Sequence, residues 1–258
     1  LAETVLIGKK LARQYPLALI LYEILGASNL ALGNISKTLK NYKKAIQINA
    51  NHTDAYNNIG IVLFDQGNYD KAIEHFQKAV EIEPSFGNAH YNLGNALKEK
   101  GDLEKAIESY KNSLLINPKD AEVLVNYGNA LKDFGELDQA IDCYTRALGI
   151  NPEYAESYNN MGNTLYDMGE MCGAIKSYKR ALKAKPEYAE AHNNMGNALQ
   201  DHGNLEQAIV SHKRAIELKP NYSEAYNSLG AAMQSMGSIA AAIDNYESAL
   251  KINPDYQS

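Results

Sequence analysis

The sequence lacks a cysteine framework, a long apolar run and an excess of positive charge, and each absence excludes a class of protein. Its 258 residues include two cysteines, Cys143 and Cys172, without a CxxC pair. This excludes a disulfide-stapled fold and is typical of a reducing compartment. The longest apolar run, around residues 17–21, is far too short to cross a bilayer. The formal net charge of -6 disfavours a nucleic acid as partner.

The remaining composition predicts a folded chain, because 45% of the residues are hydrophobic and 22% are charged. No basic segment followed by a long apolar one marks a secretory signal at the start. A cytoplasmic location is therefore expected. Leu1 stands where an initiating Met would be, which leaves room for a preceding segment.

One period of 34 residues runs through the chain. Two glycine series keep this step without slipping, and a proline series keeps it except at Ala50. Between these markers apolar residues recur at intervals of three and four, which is helical periodicity. Each unit is therefore predicted to contain two helices, A and B, with one glycine in helix A, the second in the turn and the proline after helix B. The series are Gly26, Gly60, Gly94, Gly128, Gly162, Gly196 and Gly230; Gly33, Gly67, Gly101, Gly135, Gly169, Gly203 and Gly237; and Pro16, Pro84, Pro118, Pro152, Pro186, Pro220 and Pro254.

This pattern, with a further alanine series on helix B, resembles the tetratricopeptide repeat. The resemblance implies an all-α, right-handed α-solenoid of about seven helix-turn-helix repeats, with A helices on the concave surface and B helices on the convex one. It covers almost the whole chain, which is interpreted as a single domain over residues 1–258. The predicted units are a partial capping helix at 1–19 and repeats at 20–52, 53–86, 87–120, 121–154, 155–188, 189–222 and 223–258.

Asparagine recurs on one face of helix A, although it is a poor helix former. We number each repeat so that its helix-A glycine is position 8. Positions 2, 6, 9 and 13 then share a polar face, because successive residues turn by about 100°. A primary amide both donates and accepts hydrogen bonds, so a row of amides can hold an extended backbone. The predicted site consists of Asn58, Asn92, Asn126, Asn160 and Asn194 at position 6, Asn95, Asn129, Asn163 and Asn197 at position 9, and Asp65, Asp133, Asp167 and Asp201 at position 13.

This row is similar to the tetratricopeptide arm of O-linked N-acetylglucosamine transferases, in which position-6 asparagines hold the backbone of protein substrates. The resemblance implies that the position-6 asparagines clamp a ligand's main chain, and that Asp133, Asp167 and Asp201 favour Lys, Arg, Ser or Thr on it. Ile24 and Ala27 occupy positions 6 and 9 of the first repeat, so the groove is expected to stop there. Alternatively, the amides bond to neighbouring helices and stabilise the stack without a ligand.

No arrangement of residues points to catalysis, a metal or a cofactor. His90 and His192 occupy an aromatic packing slot, and the cysteines lie on different repeats without nearby histidine pairs. The sequence therefore predicts no enzyme, no metal site and no cofactor. Positions 2, 5, 6 and 9 carry no Lys or Arg, which disfavours a clamp for the carboxylate terminus of a chaperone.

Three functional hypotheses follow. The first is a protein–protein interaction module that binds an extended peptide or protein segment, basic or Ser/Thr-rich, in the asparagine groove. The second is the substrate-selecting arm of a larger transferase, such as a glycosyltransferase, with its catalytic domain beyond Ser258. The third is a self-assembling scaffold, a homo-oligomer formed through the convex face or the C-terminal helix. Neither a nucleic acid nor a membrane is expected as a partner.

Overall fold

The computed structural model describes residues 1–254, and fifteen α-helices lie within that range without any strand. The predicted all-α repeat of helix pairs is confirmed. From α2 onward, even-numbered helices are the A helices and odd-numbered helices the B helices. Their bounds are α1 Ala2–Gln14, α2 Leu19–Ala31, α3 Ile35–Ile48, α4 Thr53–Asp65, α5 Tyr69–Ile82, α6 Gly87–Glu99, α7 Leu103–Ile116, α8 Ala121–Phe134, α9 Leu137–Ile150, α10 Ala155–Asp167, α11 Met171–Ala184, α12 Ala189–Asp201, α13 Leu205–Leu218, α14 Ser223–Ser235 and α15 Ile239–Ile252.

The chain divides into two compact units, Leu1–Phe134 and Gly135–Ser258. In the first unit, α2 packs on α3, α4 on α5 and α6 on α7, and each B helix also contacts the next A helix. In the second unit, α10, α12 and α14 pack in the same way on α11, α13 and α15. The extent of the domain, which the sequence predicts as one, stays a prediction.

Each helix pair closes where the helix-A glycine meets an aromatic ring of helix B. A Cβ added to Gly94 would lie 2.8 Å from the ring of Tyr110, and one added to Gly162 would lie 2.6 Å from that of Tyr178. Both rings are almost completely buried. A side chain at either glycine would therefore push the two helices apart.

The turn between helices A and B requires a left-handed backbone, as at Gly101, where φ is +85°. There the amide of Gly101 donates to the carbonyl of Lys98, and that of Asp102 donates to the carbonyl of Leu97, both at 2.9 Å. These bonds satisfy carbonyls that the end of a helix leaves without partners. The turn is short, so the antiparallel B helix begins at Leu103.

None of the helices within residues 1–254 is both long enough and apolar enough to traverse a lipid bilayer.

Candidate functional site

The predicted asparagines and acids form one polar face on the A helices of each unit. All nine asparagines are half-buried, and all four position-13 acids are exposed. The apolar residues at positions 3, 7 and 11 point into the helix stack and are mostly buried. The first unit carries Asn58, Asn92, Asn95, Asn126, Asn129, Asp65 and Asp133, and the second carries Asn160, Asn163, Asn194, Asn197, Asp167 and Asp201.

Position-6 asparagines connect successive repeats by hydrogen bonds. Asn92 Nδ2 donates to Asn57 Oδ1 at 2.9 Å, and Asn126 Nδ2 lies 2.8 Å from the phenol oxygen of Tyr91, to which it donates. In the second unit, Asn194 Nδ2 donates to Asn159 Oδ1 at 3.2 Å. In all three cases the acceptor lies at position 5 of the preceding repeat. These amides therefore contribute to the stacking of repeats, as the ligand-free alternative expects.

Position-9 asparagines connect the two helices of one repeat. The hydroxyl of Tyr110 donates to Asn95 Oδ1 at 2.7 Å, and that of Tyr178 donates to Asn163 Oδ1 at 2.8 Å. Burial raises the pKa of both tyrosines, so the phenols remain donors throughout the physiological range. The amide of Asn194 also donates to Asn163 Oδ1, at 3.0 Å.

The repeat around Asn197 departs from this arrangement because His212 replaces the helix-B tyrosine. Its Nδ1 lies 2.9 Å from Asn193 Oδ1, and its Nε2 is buried without a hydrogen-bond partner within residues 1–254. Burial lowers the pKa of His212 to about 4, so the ring is neutral at pH 7. The contact between helix B and position 9 is therefore missing here.

Asp133 and Asp201 are among the predicted acids that already have partners within the chain. Lys98 Nζ lies 3.5 Å from Asp133 Oδ2, and the hydroxyl of Tyr166 donates to Asp201. The bond to Asp201 is the main reason why the pKa of Tyr166 is raised to about 12. In both pairs a position-12 side chain meets the position-13 acid of the next repeat. Lys98 therefore offsets part of the charge of Asp133, and the hydroxyl of Tyr166 occupies one acceptor site of Asp201 before any ligand arrives.

The amides nevertheless keep hydrogen-bonding capacity. Asn92 and Asn126 each use one amide hydrogen in the bonds described above, and their oxygens accept no hydrogen bond from residues 1–254. Asn194 uses its amide hydrogens, but its oxygen is likewise without a donor in that range. An asparagine oxygen accepts two hydrogen bonds, so each side chain can still take a backbone N–H.

Sequence reasoning missed the position-5 residues that hold the asparagines, among them Asn57, Tyr91 and Asn159. The signal that finds them is a separation of 35 residues, one period plus one, between donor and acceptor.

Sequence reasoning also missed a proximity between Cys172 and His202, whose Sγ and Nε2 atoms lie 3.9 Å apart on the surface. Histidines in the aromatic slot hydrogen-bond to the proline carbonyl six residues earlier, as His90 does with Pro84 at 3.0 Å.

Three family profiles match the repeats that carry this face. Together they cover most of the chain. The chain belongs to the tetratricopeptide repeat (TPR) family. The profile described as TPR repeat matches residues 28–67, 60–101, 128–169, 162–203 and 197–237, and two described as Tetratricopeptide repeat match 87–120 and 223–256.

Solved TPR structures resemble this chain as well. The crystal structure of MamA is 28% identical, covers 63% of this chain and 95% of its own, and superposes with a TM-score of 0.58. YrrB, a TPR protein with an unusual peptide-binding site, is 23% identical over 71% of this chain and 95% of its own, with a TM-score of 0.59. A chain in the crystal structure of the APC/C hetero-tetramer Cut9-Hcn1 is 17% identical, and the match covers 98% of this chain but 50% of that one, with a TM-score of 0.71. No curated protein matches the sequence.

Proposed function

We propose that this TPR chain is a protein–protein interaction module that binds an extended peptide or protein segment along the asparagine faces of its A helices. The observation that carries the proposal is the free acceptor capacity of the half-buried amides of Asn92, Asn126 and Asn194. A row of such groups, repeated once per A helix, matches the main-chain donors of an extended peptide.

The bonds between repeats serve this function as well. Because Asn57 and Tyr91 hold the amide nitrogens of Asn92 and Asn126, the oxygens are oriented before a ligand binds. A fixed side chain loses less conformational entropy on binding than a mobile one. The two roles that the sequence left open for the asparagines are therefore compatible in one residue.

The ligand is expected to be basic or rich in hydroxyl groups. Exposed acids at position 2, including Glu156 and Glu190, flank the amides, and the chain carries a net charge of -6. Glu190 is partly offset by Lys219 Nζ at 3.6 Å, and Asp133 by Lys98. The charge preference should be modest and should weaken with added salt. A role as the substrate-selecting arm of a transferase would use the same face and differs by requiring a catalytic domain in the same protein.

The test uses peptides selected from a random phage-displayed library against the whole chain, with affinities measured by fluorescence anisotropy. For a peptide bound by the first unit, we expect Asn92→Ala combined with Asn126→Ala to weaken binding at least tenfold. The matched control is Asn57→Ala combined with Tyr91→Phe, which removes the acceptors of the same two bonds and also the bond from Tyr91 to Glu122. That control should weaken binding by no more than about threefold, because the oxygens of Asn92 and Asn126 are still present and only their orientation before binding is lost.

Main-chain recognition has a second, independent signature. N-methylation of the peptide amides that contact the asparagine oxygens should reduce the affinity at least tenfold, whereas alanine substitution of the peptide side chains should reduce it little. Equal losses of affinity in the variant with Asn92→Ala and Asn126→Ala and in the matched control would show that the amides only stabilise the stacking of repeats. Binding that depends on peptide side chains and is unchanged by N-methylation would rule out main-chain recognition by the position-6 asparagines.

A further inference from the structure

Three potential metal ligands meet at the junction of the first two repeats. Glu23 lies on α2, His52 immediately precedes α4, and Asp54 lies in the first turn of α4. One ligand atom of each side chain lies within 4.8 Å of the other two. Within residues 1–254 this is the one group of three or more His, Cys, Asp or Glu side chains with such spacing.

The histidine of this group is buried, and its ring nitrogen Nε2 faces the carboxylate of Glu23. His52 is 8% exposed, and its Nε2 lies 2.5 Å from Glu23 Oε1 without the geometry of a hydrogen bond to any residue within 1–254. This contact requires a proton or a cation shared by the two atoms, because a bare ring nitrogen and a carboxylate oxygen both present lone pairs. Asp54 is exposed and Glu23 is half-buried, so a cation has access from solvent.

The other junctions provide an internal comparison. The three residues occupy position 5 of one repeat, the last position of that repeat, and position 2 of the next. This geometry recurs, because Tyr91 and Glu122 hold positions 5 and 2 at a later junction and their side chains meet at 2.8 Å. No other junction in the sequence supplies an imidazole. The corresponding trios in the described units are Asn57, Phe86 and Asn88; Tyr91, Asp120 and Glu122; Asn159, Tyr188 and Glu190; and Asn193, Tyr222 and Glu224.

We propose that Glu23, His52 and Asp54 bind a divalent transition-metal ion of the Zn²⁺ class. One neutral imidazole and two carboxylates offset the charge of the ion, and the nitrogen ligand disfavours Ca²⁺ and Mg²⁺, which prefer oxygen. Bonds of about 2.0–2.2 Å place tetrahedral ligand atoms roughly 3.3 Å apart, a spacing that the exposed side chain of Asp54 reaches by changing rotamer.

Binding would connect α2 to the start of α4 and so fix the first repeat on the second. Three protein ligands leave at least one coordination position for water or for a donor group of a partner. The junction is also the place where Ala50 interrupts the proline series, so the turn before His52 is less constrained than its counterparts.

The test is calorimetric titration of the chelator-treated full chain with Zn²⁺ alone, with Mg²⁺ and Ca²⁺ titrated separately. The exposed pair of Cys172 and His202 is the competing zinc ligand set, so Cys172→Ser is measured alongside. We expect the Zn²⁺ site to persist in Cys172→Ser and in His75→Gln, which replaces a histidine outside the proposed ligand group. The affinity for Zn²⁺ should fall at least tenfold in His52→Gln and in Asp54→Asn. Zn²⁺ should raise the Tm of the chain and of Cys172→Ser, and should leave that of His52→Gln unchanged.

Asp54 is exposed, so its asparagine variant should fold even if His52→Gln does not. The proposal is overturned if Zn²⁺ binding disappears in Cys172→Ser, if it survives in folded Asp54→Asn, or if no Zn²⁺ binds. Equal affinity for Ca²⁺ would also overturn it, since an exposed acidic pair would then suffice without the imidazole.

Discussion

Replacement of His212 by tyrosine is expected to make the free energy of unfolding of this protein less dependent on pH between pH 6.5 and pH 4. The ring of His212 is fully buried, and burial lowers its pKa from 6.5 to about 4. Below pH 6.5 the unfolded chain takes up a proton that the folded chain refuses, so stability falls as the pH falls. A shift of this size is worth about 3 kcal/mol once the pH reaches 4.

At neutral pH the same substitution should stabilise the fold by about 1 kcal/mol, because it removes a buried ring nitrogen without a partner. The new hydroxyl should reach Asn197 as Tyr178 reaches Asn163, and the bond to Asn193 is lost in exchange. Urea unfolding of both proteins at pH 7.0 and pH 4.5 measures the difference directly. His202→Gln is the control. That imidazole is exposed, so its replacement should not change how the free energy of unfolding depends on pH. Identical pH dependence in His212→Tyr and the parent chain would contradict the assignment.

The helix pairs and the polar face of helix A could be predicted from the sequence because both depend on a strict period. Gly94 and Gly101 mark the close contact and the turn of one repeat, and the structure places both in those roles. Spacing of positions 2, 6, 9 and 13 defines a face of a regular helix without knowledge of its neighbours. The positions of Asn92 and Asn126 on that face therefore required no tertiary information.

The hydrogen bonds of these asparagines could not be predicted in the same way. Asn126 bonds to Tyr91 because stacking brings position 6 beside position 5 of the previous repeat, and this offset depends on how the repeats pack. The grouping of Glu23, His52 and Asp54 likewise joins residues from two helices and a turn. Family profiles describe the residues that the repeats have in common. A site confined to one junction consists of residues that the other repeats do not share, so a profile does not predict it.

Replacement of Gly162 by alanine is expected to destabilise the second unit by about 2 kcal/mol, although alanine is the better helix former. The added Cβ would lie 2.6 Å from the ring of Tyr178. That ring cannot move aside at low cost, because it is buried and its hydroxyl is bonded to Asn163. The steric cost should therefore exceed the gain of up to about 1 kcal/mol from helix propensity.

Gly149 provides the matched control, since it lies near the end of α9 and a Cβ there would meet nothing within 4 Å. Gly149→Ala should therefore stabilise the protein slightly, so the two glycine-to-alanine changes are expected to have opposite signs in urea unfolding. Tyr178→Leu should in turn reduce the cost of Gly162→Ala, because the smaller side chain leaves room for the methyl group. Stabilisation by both alanines would mean that the ring of Tyr178 yields easily, and that the helix-A glycine is not required for the close approach of the two helices.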